Sequence, residues 1–138
     1  MKVYDNHMTY EIHPDVCAGT VARDEALPCP IMQMNQVHDV KVAVVDKVDI
    51  PQDELDGSDA IVTDLPGVAI GVRTADCIPV LLYDPVKKAA AAIHSGWKGT
   101  VSKIISKTVT KMRTAYSSQP SDLLAFIGPG ICMDCFQV

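Results

Sequence analysis

Three side chains that can bind a metal ion lie far apart in the sequence, each at the end of a predicted strand. His38 precedes one strand, Cys77 lies between two strands, and His94 ends another. Because strand ends converge at one edge of a sheet, these side chains could meet in space. One thiolate and two imidazoles suit zinc, and three protein ligands leave a fourth position for water. Copper accepts the same ligand atoms, so the ligand types alone leave the metal open.

Each of these three residues also has a simpler explanation. No two of them share a local spacing such as CxxC or HxxxH. A single buried cysteine is more often a small apolar core residue than a metal ligand. A single histidine more often lies at the surface or in a hydrogen-bonded core. From spacing alone, these structural roles are favoured over a metal site.

The segment after His94 has the pattern of an anion-binding turn. Gly96, Trp97, Lys98 and Gly99 lead into a predicted helix, and a helix N-terminus offers free N–H groups and a positive dipole end. The cation of Lys98 would suit a phosphate or a carboxylate. The alternative is ordinary helix entry, with glycines chosen for turn geometry. The indole of Trp97 could stack on a flat ligand ring or equally form part of the core.

The surrounding pattern predicts many strands and one helix. Apolar residues recur at helical spacing from Val101 to Tyr116, with Thr100 as the N-cap. Several strands are apolar throughout, which predicts a sheet covered on both faces. We therefore expect a mixed α/β (α+β) fold with a strand-rich sheet core and packed helices. The predicted strands are Met8–Ile12, Val16–Val21, Ile31–Gln33, Lys41–Val45, Ala60–Thr63, Val68–Val72, Pro79–Tyr83, Ala89–Ile93 and Leu123–Ile127.

Composition limits the class of protein. The chain has 138 residues, 48% apolar and 21% charged, which is typical of one globular domain. Its net charge of −5 argues against a general binder of nucleic acid or anionic membranes. The apolar runs are far shorter than the roughly 20 residues of a membrane span, and no secretory signal is visible. We therefore expect a cytoplasmic location, with no nucleic-acid or membrane partner.

The cysteines indicate a reducing compartment. Their number, five, is odd, which argues against a closed set of disulfides. Cys132 and Cys135 form a single CxxC, and without a second CxxC a zinc ribbon is excluded. A redox thiol pair is one interpretation, but the segment lacks the strand–CxxC–helix order of thioredoxin-like proteins. Incidental thiols are therefore the favoured interpretation.

Six short motifs follow one another along the chain. Each alone is a weak indication of a family, but their order and spacing together are specific. The motifs are Gln36-Val37-His38, Ser58-Asp59-Ala60-Ile61-Val62-Thr63, Ala75-Asp76-Cys77-Ile78-Pro79-Val80, His94-Ser95-Gly96-Trp97-Lys98-Gly99, Ile127-Gly128-Pro129-Gly130-Ile131 and Cys135-Phe136-Gln137-Val138. From about Gln33 to Val138, the chain resembles the YfiH-like laccase-domain family, also called the polyphenol oxidase family.

This resemblance implies a zinc site made by His38, Cys77 and His94, with copper the alternative that the laccase label suggests. It implies a purine nucleoside phosphorylase acting on adenosine, inosine, guanosine or methylthioadenosine with phosphate, together with adenosine deaminase activity. The implied fold is mixed α/β and resembles cysteine-hydrolase toxin domains. The alternatives are a copper polyphenol oxidase, a metal-free Cys77–His94 hydrolase or deamidase, and a non-catalytic metal-binding domain. The oligomeric state stays open.

The resemblance also suggests roles for four further residues. Asp76 would act as a general acid or base, or would orient a ligand histidine. Arg73 would neutralise phosphate or the negative charge on the departing purine. Asn35 and Gln36 would contact the nucleoside. Each of the four could instead serve local structure.

The chain departs from the family pattern in two places. The family carries an Arg-x-Gly-Gly-Val-Ser stretch upstream of the Gln-Val-His motif, and the region around residues 20–24 lacks the glycine pair. The family domain usually continues beyond the Phe-Gln-Val motif, where this chain ends. We therefore expect one domain over residues 1–138, shortened in its N-terminal region and at its C-terminus. The loss of a wall or lid of the site would weaken substrate binding while leaving the metal site intact.

Overall fold

The computed structural model describes residues 2–3 and 7–137. These residues form strands, three α-helices and two 3-10 turns, the latter at Pro120–Asp122 and Met133–Cys135. The helices are α1 (Gln52–Leu55), α2 (Trp97–Val101) and α3 (Ile104–Tyr116). The strands are β1 (Lys2–Val3), β2 (His7–His13), β3 (Val16–Val21), β4 (Ile31–Met32), β5 (Val42–Val45), β6 (Ala60–Thr63), β7 (Ala69–Ile70), β8 (Ile78–Asp84), β9 (Ala89–Ser95) and β10 (Leu124–Ile127).

A five-stranded mixed sheet is the centre of the fold. Its strand order is β10-β8-β9-β6-β5, in which β5 and β6 are parallel and the other neighbours are antiparallel. Strands β1, β2 and β3 form a separate antiparallel sheet, and β4 pairs with β7 in parallel. This is the mixed α/β architecture that the sequence predicts.

Both faces of the five-stranded sheet are covered, as its apolar strands predict. Ala60 and Val62 face one hydrophobic cluster, whereas Ile61 between them faces the other. Helix α3 covers the first face with the buried side chains of Ile104 and Met112. Every position of β6 is buried on one face or the other, and its sequence is accordingly three consecutive apolar residues followed by a threonine rather than an alternating pattern.

Each of the nine predicted strands is found, with ends that differ by no more than two residues. The sequence pattern predicts neither strand β1 nor helix α1. The short pair β4 and β7 keeps only two residues in each strand. In this chain, apolar runs bounded by turn residues therefore predict where the strands lie.

The predicted helix from Val101 to Tyr116 is wrong at its start. The chain forms two helices, because Lys103 adopts a left-handed conformation with φ of 64° and interrupts the helical path. Thr100 is not an N-cap: it lies within α2, and its hydroxyl donates to the carbonyl of Gly96 at 2.8 Å. In the described part of the chain, no helix is long and apolar enough to cross a bilayer.

Candidate metal centre

The topology of the five-stranded sheet places four chemically important residues at one end. Strands β5, β6 and β8 begin at this end, and β9 ends there. Cys77 immediately precedes β8, Asp59 precedes β6, and His94 is the penultimate residue of β9. His38 lies in the loop that leads into β5. The backbone N–H of His94 donates to the carbonyl of Asp59 at 2.7 Å, which joins two of these positions directly.

The side chains of His38, Cys77 and His94 form one cluster. Their ligand atoms all lie within 4.8 Å of one another, and the two imidazole rings meet edge to face at an 80° angle. His94 is buried, Cys77 is half-buried and His38 is exposed. The cluster therefore opens towards solvent on the His38 side, as a site with a free coordination position requires.

A buried carboxylate, Asp59, lies behind the cluster. Its Oδ2 atom is 2.6 Å from Nδ1 of His94. It also accepts the backbone N–H groups of Val37, His38 and Asp39, each at 3.0 Å. His38 has a φ of 60°, which a non-glycine residue adopts only when its surroundings hold it there. These three hydrogen bonds supply that restraint.

Asp59 is a carboxylate at neutral pH. Burial raises its pKa, but hydrogen bonds from the N–H of Asp39, the ring of His94 and further N–H groups outweigh burial and lower the pKa. A carboxylate can only accept, so Nδ1 of His94 carries the proton of the 2.6 Å hydrogen bond. The Nε2 atom of His94 is then the ring nitrogen with a lone pair for a metal ion.

Gly96 leaves space beside the cluster that a side chain would fill. A Cβ atom at this position would lie 3.2 Å from Sγ of Cys77, 3.4 Å from Cδ2 of His38 and 3.8 Å from Cε1 of His94. A glycine here thus keeps the three proposed ligands free to close around one ion. Together with the Asp59–His94 hydrogen bond, this space means that the residues present could hold one metal ion.

The thiol of Cys77 is protonated when no cation is bound. Burial raises its pKa, and the negative charges of Asp76 and Asp59 raise it further. A bound cation would have the opposite effect, because it stabilises the thiolate form that coordinates metal. The surroundings of Cys77 therefore suit a metal ligand better than a free nucleophile.

A groove borders the cluster at His38 and extends along α2. Its volume is about 480 Å³, within the range of small-molecule sites. Trp97 lies at its edge with 63% of its surface exposed, and Nζ of Lys98 is 5.6 Å from the centroid of the indole. This Trp97 groove is lined by Val37, His38, Asp39, Val40, Trp97, Lys98, Val101 and Ser102.

Asn35, Gln36 and Arg73 are joined to the loops around the site by hydrogen bonds. Asn35 donates its N–H and its amide to the carboxylate of Asp56. Gln36 donates to the carbonyl of Arg73 and accepts its N–H, both at 2.8 Å. Nε of Arg73 donates to Oε1 of Gln33 at 3.1 Å. The Gln36–Arg73 hydrogen bonds tie the His38 loop to the segment before Cys77, and the Asn35–Asp56 hydrogen bonds tie it to the end of α1.

Asp76 and Gly99 have different surroundings. The carbonyl of Asp76 accepts the N–H of Ile131 at 2.9 Å, and its carboxylate is close enough to raise the pKa of Cys77. A Cβ atom at Gly99 would face Ile104 and the carbonyl of Asp39 at 3.4 and 3.5 Å. Gly99 is buried and packs closely against the start of α3.

Asp59 is the site residue that the sequence reasoning missed. It belongs to one of the six motifs, which by themselves indicate no role for it. The sequence places this acid directly before the predicted strand Ala60–Thr63, but only the structure shows that the strand and the acid are both buried. Charged residues are almost never fully buried without a partner, so such an acid indicates a specific hydrogen-bonding task.

Comparison with known proteins places the chain in a family. The sequence model described as multi-copper polyphenol oxidoreductase laccase matches residues 17–138. The chain belongs to this family. Among solved structures, the YfiH protein of Bacillus licheniformis, a hypothetical protein, superposes with a TM-score of 0.71 at 30% identity. That match covers 77% of this chain and 42% of the YfiH chain, and it confirms the fold class expected for a laccase-domain protein.

Curated relatives of this laccase-domain chain carry enzyme names. A purine nucleoside phosphorylase of Clostridium acetobutylicum is 48% identical over 84 residues, which cover 61% of this chain and 36% of that protein. The adenosine deaminase RL5, from an unknown prokaryotic organism, is 40% identical over 114 residues, which cover 78% of this chain and 43% of that protein. The chain therefore spans less than half the length of each relative.

Proposed function

We propose that this chain is a zinc-dependent purine nucleoside phosphorylase that also deaminates adenosine. Adenosine, inosine, guanosine and methylthioadenosine are its proposed nucleosides, and phosphate is the second substrate. The observation that carries the proposal is the convergence of His38, Cys77 and His94 beside the Trp97 groove, which His38 helps to line. The names of two relatives, a phosphorylase and a deaminase, support the substrate class.

His38, Cys77 and His94 would hold the zinc ion. When bound in such a site, zinc lowers the pKa of a water ligand to about 7 and so supplies hydroxide at neutral pH. Asp59 orients the ring of His94 and holds the backbone of the His38 loop. The exposed side of His38 leaves the approach from the groove open for substrate.

The Trp97 groove would bind the nucleoside and phosphate. The exposed indole offers a face on which the purine stacks, and Lys98 beside it offers a positive charge for phosphate. In phosphorolysis, phosphate forms a bond to the ribose carbon while the bond to the base breaks, giving free base and ribose 1-phosphate. Asp76 is the proposed general acid or base, and Arg73 the proposed positive charge that neutralises the phosphate or the departing base.

Two physical arguments weigh against the alternatives. A metal-free Cys77–His94 hydrolase needs a thiolate nucleophile, but burial and nearby acids raise the pKa of Cys77. A multicopper oxidase needs several copper sites, and the described part of the chain contains one group of at least three metal-binding side chains. The chain has four histidines in all, and two of them belong to that group.

Metal analysis combined with a nucleoside assay tests the proposal. Purified chain should contain close to one zinc ion per molecule and should release base from inosine only when phosphate is present. Adenosine should in addition release ammonia. Cys77→Ser should lose both zinc and activity, whereas Cys29→Ser, which alters an exposed thiol outside the group of proposed ligands, should lose neither. Copper without nucleoside turnover, or zinc without base release, would contradict the proposal.

A further inference from the structure

Two thiols near the end of the described chain face each other. The Sγ atoms of Cys132 and Cys135 are 2.9 Å apart, and both residues are exposed. This separation is shorter than an ordinary van der Waals contact between two sulfur atoms and longer than the roughly 2.05 Å of a disulfide bond. Only a small approach of the two sulfur atoms separates the dithiol from a closed disulfide.

The local backbone explains why the two sulfur atoms meet. Residues Met133–Cys135 form a 3-10 turn, in which the N–H groups of Cys135 and Phe136 both donate to the carbonyl of Cys132 at 3.2 Å. A 3-10 turn has three residues per turn, and Cys132 is the N-cap residue before this turn whereas Cys135 is its last residue. The three-residue spacing of the CxxC therefore matches the period of the turn, and the two thiols come to lie on the same side of it.

The two thiols are chemically unequal. Hydrogen bonding from the thiol of Cys135, and from the backbone N–H groups of Cys135 and Asp134, lowers the pKa of Cys132. The same thiol–thiol hydrogen bond raises the pKa of Cys135. In thiol–disulfide exchange the thiolate is the attacking species. Cys132 is thus suited to attack first and Cys135 to attack second.

The turn is attached to the main sheet rather than projecting freely. The N–H of Gly128 donates to the carbonyl of Pro79 at 2.8 Å, and the N–H of Ile131 donates to the carbonyl of Asp76 at 2.9 Å. These hydrogen bonds hold the segment that leads into the turn along the start of β8. A fixed approach reduces the conformational entropy that is lost when a disulfide closes.

We propose that Cys132 and Cys135 form a reversible redox site that exchanges with low-molecular-weight disulfides. The Cys132 thiolate attacks one sulfur of such a disulfide, forming a mixed disulfide and releasing one thiolate. Cys135 then attacks the sulfur of Cys132 and gives up its proton, so the second thiol departs as the intramolecular disulfide closes. The protein pair is oxidised by two electrons, and the small disulfide is reduced to two thiols.

This inference differs from the incidental-thiol interpretation that the sequence favoured, because only the structure shows the sulfur–sulfur contact. It is independent of zinc binding and of nucleoside turnover. Cys17 and Cys29, which are also exposed single thiols, serve as internal controls.

Equilibration of the full chain in buffers of reduced and oxidised glutathione tests the proposal. We expect the oxidised chain to lose two hydrogen atoms, and peptide mapping should locate the new disulfide between Cys132 and Cys135. The double variant with Cys17→Ser and Cys29→Ser should oxidise in the same way. Excess dithiothreitol should restore both free thiols.

Single variants separate the two roles. Cys135→Ser removes the second attacking group, so a stable mixed disulfide with glutathione should accumulate on Cys132. In the unmodified chain, Cys132 should alkylate with iodoacetamide several-fold faster than Cys29. The proposal is overturned if glutathione becomes attached to Cys17 or Cys29 while Cys132 and Cys135 stay unpaired, or if Cys132 and Cys29 alkylate at equal rates.

Discussion

The Oδ2 atom of Asp59 lies 2.6 Å from Nδ1 of His94, and the same carboxylate accepts three consecutive N–H groups of the loop that carries His38. One buried side chain therefore restrains two of the three proposed zinc ligands. A carboxylate behind a ligand histidine orients the ring and raises its basicity. Asp59 acts through these ligands and is a positioning residue.

Asp59→Asn should lower the affinity for zinc about 10- to 100-fold. The carboxylate accepts these hydrogen bonds through two oxygen atoms, whereas the amide has only one oxygen that can accept them. Competition with a chromophoric chelator measures this affinity directly. Asp84→Asn is a matched control, since Asp84 is equally buried and lies at the other end of β8, about 20 Å away along the strand. Equal zinc affinity in the two variants would show that Asp59 does not contribute to metal binding.

Gly96→Ala should weaken zinc binding without unfolding the chain. The added Cβ would lie 3.2 Å from Sγ of Cys77, so that thiol would have to shift from its present position beside the other two ligands. Gly99→Ala, three residues along the chain, adds the same methyl group at ordinary contact distances of 3.4 Å or more and should bind zinc normally. Zinc titration of both variants, with circular dichroism as the folding check, distinguishes crowding at the site from general damage.

Trp97→Ala should raise the KM for inosine about 10-fold with a smaller change in kcat. Stacking of a base on an aromatic ring contributes about 1–3 kcal/mol, and an exposed indole bordering the groove is placed to supply it. Trp97→Phe should retain most of the binding, and Val86→Ala should change nothing, because Val86 is exposed in the turn after β8. Unchanged kinetics for Trp97→Ala would contradict the proposed binding mode of the purine.

Asp84 should make the stability of the fold dependent on acid pH. Burial raises its pKa, but the hydroxyl of Ser118 and the N–H groups of Lys87 and Val86 outweigh burial, so the net pKa is lowered. A lowered folded-state pKa stabilises the fold above the unfolded value of about 4, and this contribution is lost as the pH falls through the folded value.

Denaturation of Asp84→Asn beside the parent chain measures this effect. At pH 7 the variant should have a free energy of unfolding lower by about 1 kcal/mol. The difference should shrink as the pH is lowered below about 4. A difference that stays constant from pH 7 to pH 2 would show that the charge of Asp84 does not contribute.

Met112→Ala should destabilise the fold by about 2–5 kcal/mol, because it leaves a cavity between α3 and the sheet. Met112 is fully buried in the cluster on that face. Ile105 lies on the same helix with 37% of its surface exposed, so Ile105→Ala should cost far less. Urea denaturation of both variants compares the two positions, and a smaller loss for Met112→Ala than for Ile105→Ala would contradict the packing described for α3.

Local features of this protein could be predicted from its sequence. Apolar runs bounded by turns located nine strands, and the motifs around His38, Cys77 and His94 pointed to a metal site. The helix start was missed, because the left-handed Lys103 that separates α2 from α3 has no distinctive local signal. Strand formation depends on neighbouring residues, so the local sequence was sufficient to predict where the strands lie.

The sequence by itself therefore determined the fold class and the residues able to do chemistry. Only the tertiary structure decided which of them meet. Strand order and register bring residues 38, 59, 77 and 94 to one end of the sheet, and a 3-10 turn brings Cys132 onto Cys135. Contacts between residues distant in sequence depend on how strands pair, which no local pattern specifies. For that reason the buried carboxylate of Asp59 became visible only in the fold.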